Sequence, residues 1–241
     1  MTFGPTIRNG VSVSVGATPS LRGNVLNIPA QIGSVAAWYR YGQGITQAGG
    51  FASAWADQSG NGRNLLQGSG AAQPAVNGDG SLLFNGSSHF MQASFTLGQP
   101  TTVCILARQI SWTAGDCAYD GFTANTGQLQ QITASPQVRL RGTSGLSSSN
   151  LWTLNTYAAL VGVFINGLNA SVLRINNGTE AVAGNIGTAT GMGGLTLGAN
   201  GVPSSYGNIE VKEVVVFPIF LSATQRQLMV NYLASVGNLV I

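Results

Sequence analysis

Charge is the scarcest property of this 241-residue chain: Asp, Glu, Lys and Arg together make up 7% of it, against roughly a quarter in ordinary soluble domains. The nine arginines and the single lysine, Lys212, never cluster beyond a pair such as Arg139 and Arg141. That scatter excludes the basic stripe of a nucleic-acid binder, so no nucleic-acid partner is expected. His89 is the only histidine, and Cys104 and Cys117 are the only cysteines. A zinc site of His and Cys ligands is therefore excluded by number. A Ser-His-Asp triad would have to use His89, and no Gly-x-Ser-x-Gly elbow is present to carry its nucleophile. The two thiols read as free, since their spacing alone says nothing about disulfide geometry. The mean hydropathy is +0.21, but no apolar run approaches the ~18 residues of a spanning helix, so no membrane partner is expected.

What is abundant is glycine, with 34 residues, and a hydrophobic fraction of 44%. That fraction supplies a sizeable core, and the surface is left to Gly, Ser, Thr, Asn and Gln. A polar surface with little charge repulsion suits a protein packed against other subunits, including copies of itself. Met1-Thr2-Phe3-Gly4-Pro5 lacks the basic and apolar regions of a secretory signal, so the expectation is a chain made and used without export.

Residues 1–32 are rich in small polar residues, and Val11-Ser12-Val13-Ser14-Val15 alternates with period two. This predicts an extended N-terminal arm carrying one strand, either docked on a neighbour or free. From residue 33 to 241 the pattern is that of one all-β domain. Strand signals fall at 35–39, 82–91, 101–108, 118–122, 128–132, 137–141, 157–164, 170–175, 194–199 and 209–217. The segments either side of Gly86 read as a hairpin, as do those around Asn176-Asn177-Gly178. One helix is predicted at the C-terminus, opened by the capping box Ser222-Ala223-Thr224-Gln225 and stopped at Gly237, sealing an edge or end of the sandwich.

The ten residues from Trp55 to Asn64 hold a large aromatic, an acid and two glycines. Asp57 is placed to accept backbone N–H groups two residues on, and Asn61-Gly62 to supply the left-handed residues of a tight turn. Trp55, Asp57, Ser59, Asn61 and Gly62 are read as a structural corner, with Trp38 and Trp55 in the core.

The order Trp55-x-Asp57-x-Ser59-Gly60-Asn61-Gly62, Leu83-Phe84-Asn85-Gly86, Leu195-Thr196-Leu197-Gly198-Ala199, and Glu213-Val214-Val215-Val216-Phe217 running into Leu221-Ser222 and Gln225-Arg226 resembles the concanavalin A-like lectin/glucanase superfamily. Within it the pattern is similar to the laminin G-like jelly rolls of bacterial and phage proteins. The resemblance spans Val35 to Gly237 and implies a two-sheet antiparallel sandwich with roles from sugar binding to adhesion to pure structure. With the arm and the low charge, the leading expectation is a non-catalytic phage virion protein, made in the host cytoplasm, that decorates or cements a capsid or forms part of a tail. The alternative is a carbohydrate-binding or adhesin module, extracellular or at a cell surface.

The glucanase branch carries its acids as Glu-x-Asp-x-x-Glu. The nearest match, Glu210-x-Lys212-Glu213, puts a lysine where an acid is needed, and period two sets the glutamates on opposite faces with Glu213 beside Ile209 and Val211. No enzyme activity is expected. A sugar platform of aromatics rimmed by polar groups would draw on Trp112, Tyr119 and Trp152 with Asp116, Asp120, Arg139 and Arg141. Packing against a partner subunit explains the same aromatics equally well. No metal or cofactor is expected. Calcium is the residual candidate, at Asp57-Ser59-Asn61 or at Asp116 and Asp120, although ~6–8 oxygens would be needed.

Overall fold

The apolar run around Cys104 becomes the long strand β8 (Thr101–Gln109), buried along nearly its whole length because both of its faces are covered. The fold is described by a computed structural model covering residues 28–133, 135–142, 149–165, 171–183, 186 and 191–241. One sheet is built on β17 (Asn208–Phe217), which pairs with β8 on one side. On its other side β17 pairs in turn with β6 (Leu82–Asn85) and with β1 (Ala37–Tyr39). Beyond β8 follow β13 (Ala158–Phe164), β14 (Ser171–Ile175) and β15 (Ala181–Ala183). The second sheet runs β4 (Leu65–Leu66), β7 (Met91–Ser94), β16 (Gly194–Leu197), β9 (Cys117–Asp120), β10 (Gln128–Gln131), β11 (Gln137–Arg141) and β12 (Ser149–Leu151). β3 (Phe51–Trp55), paired with β2 (Ile45–Ala48), joins the two by pairing with both β4 and β5 (Ala75–Val76), and β5 pairs with β6. All these pairings are antiparallel, and the architecture is all-β with one C-terminal helix.

The segments flanking Gly86 do not form the expected hairpin. β6 pairs with β17 and β5 whereas β7 pairs with β16 and β4, so the chain crosses between sheets there. Asn176, at φ 51°, turns the chain from β14 into β15 as a hairpin.

Alternation along β8 separates two cores. Val103, Ile105 and Ala107 face the second sheet, with Trp55, Phe84, Tyr119, Leu140 and Leu197. Cys104 and Leu106 face outward, with Trp38, Val161, Val215 and Phe217. That outer layer is covered by α2 (Ala223–Gly237) through Met229, Val230, Tyr232 and Leu233, each buried side chain contributing roughly 1.5–3 kcal/mol. The helix therefore lies over a sheet face rather than sealing an edge, because Trp38, Leu106 and Val215 leave an apolar stripe there. Ser222 and Gln225 form the reciprocal capping box, while the left-handed stop is Asn238 rather than Gly237. Residues 28–32 of the expected arm form α1 (Ile28–Ile32), whose two isoleucines pack beside α2. The Val11–Val15 strand lies outside the described residues. Cys104 and Cys117 are unpaired and buried, on different sheets.

Candidate functional site

Strand β17 carries a bulge that period-two reading does not reveal. Val211 lies opposite Ala107 and Glu213 opposite Leu106, leaving Lys212 as the extra residue. Glu213 is thereby turned away from the Ile209 and Val211 face and onto the outer face, where Glu210 already lies opposite Arg108. The two glutamates share a face, contrary to the simple alternation, and they do different things.

Glu213 is 2% exposed beneath α2. It accepts from Trp38 Nε1 at 2.7 Å, from the Tyr41 backbone N–H at 3.0 Å and from the Tyr232 hydroxyl. Burial pushes its carboxyl up, against the opposing pull of those donors. It ties β1, β17 and α2 together beneath the helix.

Glu210 opens instead on a cavity of about 480 Å3 lined by Asn77, Asp79, Leu83, Arg108, Ile110 and itself. The turn before β6 supplies one wall. Gly80 takes φ +87°, its N–H reaches the Asn77 carbonyl at 2.8 Å, and Asp79 Oδ1 accepts the Ser81 N–H at 3.0 Å. A Cβ at Gly80 would stand 3.0 Å from the Gly42 Cα, so this turn needs glycine for both conformation and space.

Charges in the cavity are paired. Arg108 donates through Nε and Nη2 to Glu210 Oε2 at 2.8 and 2.5 Å. Lys212 Nζ lies 3.2 Å from Asp79 Oδ2, and 4.4 and 4.9 Å from the ring centroids of Tyr157 and Tyr41. The Tyr157 hydroxyl donates to Glu210 Oε1. The Ser81 hydroxyl stands 2.6 Å from Asp79 Oδ1 and 2.5 Å from Glu210 Oε1, its one proton serving either carboxylate in turn. Desolvation works against ionisation of both acids. Ser81, Lys212 and Tyr41 nevertheless hold Asp79 well below the usual carboxylate range, and Ser81, Tyr157 and Arg108 lower Glu210. Burial, then the bond to Glu210, pushes the Tyr157 phenol far up. Two carboxylates are thus fixed in ionised form beside a guanidinium and two apolar side chains.

Of the residues proposed from sequence for a sugar platform, the structure places three in the interior. Trp152 and Tyr119 are each 1% exposed and Asp120 is fully buried. Tyr119 lies between the sheets, edge-on to Phe164 with centroids 6.4 Å apart, because its side chain points to the inner face of the expected strand, β9. Asp120 accepts five backbone N–H groups, from Gly121, Asn125, Thr126, Gly127 and Gly201, and the Gln128 side chain. Its oxygens organise a loop and are not turned to a ligand. Trp112 packs against the inner core. Asp116, Arg139 and Arg141 remain partly exposed near one another on the second sheet, where Arg139 donates to Gln130 Oε1 at 2.9 and 3.1 Å.

The corner at Asp57 is likewise engaged internally. Oδ1 accepts the N–H groups of Trp38 and Ser59 at 2.9 and 2.8 Å, and Oδ2 accepts the Ser59 hydroxyl at 2.8 Å and the Arg63 N–H at 3.1 Å. Gly60 and Gly62 take the positive φ values, +89° and +70°. Asn61 does not; its amide donates to the carbonyls of Val35 and Ala36. Trp55 is fully buried, its indole N–H shared between the Arg40 and Gln43 carbonyls. Among the described residues, no three of His, Cys, Asp and Glu gather as a metal site would require.

Sequence reasoning did not single out Asp79, Arg108 or Tyr157, and it weighed Glu210 and Lys212 only as a failed hydrolase motif. A signal was available in scarcity: with seven acids and one lysine in the chain, two of those acids and that lysine meet here.

No protein-family model matches the sequence, and no curated protein is similar to it. Solved structures share the fold. A Trypanosoma rangeli sialidase in complex with sialic acid aligns at a TM-score of 0.62 and 14% identity, over 84% of this chain and 33% of the sialidase. The chain thus spans about a third of that enzyme's length. The receptor binding domain of botulinum neurotoxin type G aligns at 0.58 and 13%, over 81% of this chain and 50% of that one. Domain 4 of AbnA, a GH43 extracellular arabinanase from Geobacillus stearothermophilus, in complex with arabinotriose, aligns at 0.59 and 14% over 82% of this chain and 98% of that domain. At these identities the similarity is one of fold: a β-rich sandwich of the kind found within these carbohydrate- and receptor-binding proteins.

Proposed function

We propose that this protein is a glycan-binding module of the concanavalin A-like, laminin G-type jelly rolls, that it acts without catalysis, and that sugar binds in the Asp79–Arg108–Glu210 cleft. The observation that carries this reading is the cleft itself. A sugar needs a few fixed polar groups beside an apolar surface. Here Asp79 and Arg108 are held by Ser81, Lys212 and Glu210 next to Leu83 and Ile110. Groups fixed before binding lose little entropy on binding. The AbnA domain supports the reading further, since the shared fold covers nearly all of it and it is bound to arabinotriose. Its extracellular source favours the extracellular setting over the virion one. Low surface charge, the main argument for a virion role, is equally compatible with a sugar-binding face.

Non-catalytic action is supported by the state of the acids. Glycoside hydrolysis with a carboxyl pair requires one of them protonated to serve the leaving group. Asp79 and Glu210 are both lowered, and Glu213, which is raised, lies under α2 away from the cavity. The test is a glycan array followed by titration of the best binder against wild type, Asp79→Asn and Arg108→Gln, with product analysis after long incubation. Binding lost in both variants with no cleavage is expected. Sugar turnover abolished by Glu210→Gln would contradict it.

A further inference from the structure

We propose that the cleft selects neutral sugars, so that adding a carboxylate to a bound glycan, as sialic or uronic acid, weakens its binding. This rests on glycan binding at the Asp79–Arg108 cleft. The groups around it are two acids and two bases, already matched: Arg108 with Glu210 at 2.5 Å and Lys212 with Asp79 at 3.2 Å. Side-chain exposure decides which of them a ligand meets. Asp79 is 43% exposed and Arg108 36%, whereas Glu210 is 6% and Lys212 14%.

An anion entering the cleft would need Arg108, the cation that lines the cavity. Glu210 already engages Nε and Nη2 of Arg108, so the anion meets only the outer edge of a guanidinium whose charge is already balanced, and pulling Arg108 closer would draw it away from Glu210. That carboxylate would keep only the hydroxyls of Ser81 and Tyr157, and a buried carboxylate deprived of its cation is costly. Lys212 offers no substitute, because it is enclosed by Asp79 and the rings of Tyr41 and Tyr157. Asp79 meanwhile presents negative charge to the same space and repels a second carboxylate. A neutral sugar meets none of these obstacles. One hydroxyl donates to Asp79 and a neighbouring one accepts from the exposed part of the Arg108 guanidinium, with both ion pairs intact.

The test uses the full chain on an array holding neutral glycans beside their sialylated and uronic-acid-bearing counterparts. The best pair is then titrated at about 20 mM and about 500 mM salt, where screening lengths differ several-fold. The neutral member is expected to bind at least about tenfold more tightly at low salt, with the gap narrowing at high salt. The salt comparison uses the wild-type chain alone, so it does not depend on any variant folding. An anionic member bound as tightly as the neutral one, or a gap indifferent to salt, would overturn the charge selectivity and leave glycan binding in place. An array on which correctly folded protein binds no glycan would overturn the glycan reading itself.

Discussion

Asp57 and Trp38 are joined by a 2.9 Å hydrogen bond from the Trp38 backbone N–H to Asp57 Oδ1, which, with the 2.7 Å bond from the Gln58 N–H to the Trp38 carbonyl, ties the turn after β3 to the strand that enters the outer core. The same carboxylate accepts from Ser59 and Arg63. Asp57→Ala therefore leaves several backbone donors unsatisfied and should lower stability by roughly 1–3 kcal/mol, read by chemical denaturation. Glycan affinity of the folded fraction should stay at the wild-type value.

Glu210 and Glu213 should show opposite pH behaviour despite sharing a face. The Glu210 carboxyl is lowered, so its contribution to stability is present above the ordinary glutamate value and lost as pH falls through the lowered one. The cost of Glu210→Gln should be largest near neutrality and shrink in acid. Glu213 is raised, so its contribution is full below the ordinary value and declines as pH rises through the raised one. The cost of Glu213→Gln should be larger in acid than at neutrality. Denaturation curves of both variants across pH 3.5–7, a range that brackets the ordinary glutamate value, check the two signs.

Gly198 follows β16 at φ +81°, and a Cβ there would stand 2.1 Å from the Phe84 ring. Gly198→Ala combines a left-handed conformation with overpacking of a buried aromatic and should cost roughly 2–4 kcal/mol. Thermal melting reads it, with Gly70→Ala, where nothing lies within 4 Å, as the neutral control.

Trp152→Ala should destabilise by roughly 3–5 kcal/mol as a core deletion, in keeping with 1% exposure. Its effect on sugar binding should follow the folded fraction alone.

These four sites show where sequence was informative and where it was not. The Trp55–Gly62 corner was readable because its chemistry is local: Asp57 caps an N–H two residues away, and glycines mark the positive φ values. The strands and the Ser222 capping box were readable from periodicity for the same reason. Tyr119 and Trp152 were misplaced because burial depends on what lies across the sandwich, which a strand signal such as that at 118–122 does not reveal. The hairpin around Gly86 was misread because a glycine turn marks a change of direction without naming the sheet that receives the next strand. The cleft was invisible because Asp79, Arg108, Tyr157 and Glu210 come from four segments, and the Lys212 bulge that sets Glu210 and Glu213 on one face breaks the period on which the reading depended.

The most direct test of glycan recognition at the Asp79–Arg108 cleft is calorimetric titration of the best array ligand against Asp79→Asn and Arg139→Ala, each shown to melt as wild type does. Arg139 sits on the other sheet, hydrogen-bonded to Gln130. The predicted result is affinity lost at least about tenfold in Asp79→Asn, the scale of one lost hydrogen bond to a charged group, and kept in Arg139→Ala. Affinity lost in Arg139→Ala and kept in Asp79→Asn would contradict the assignment and move the site to the second sheet.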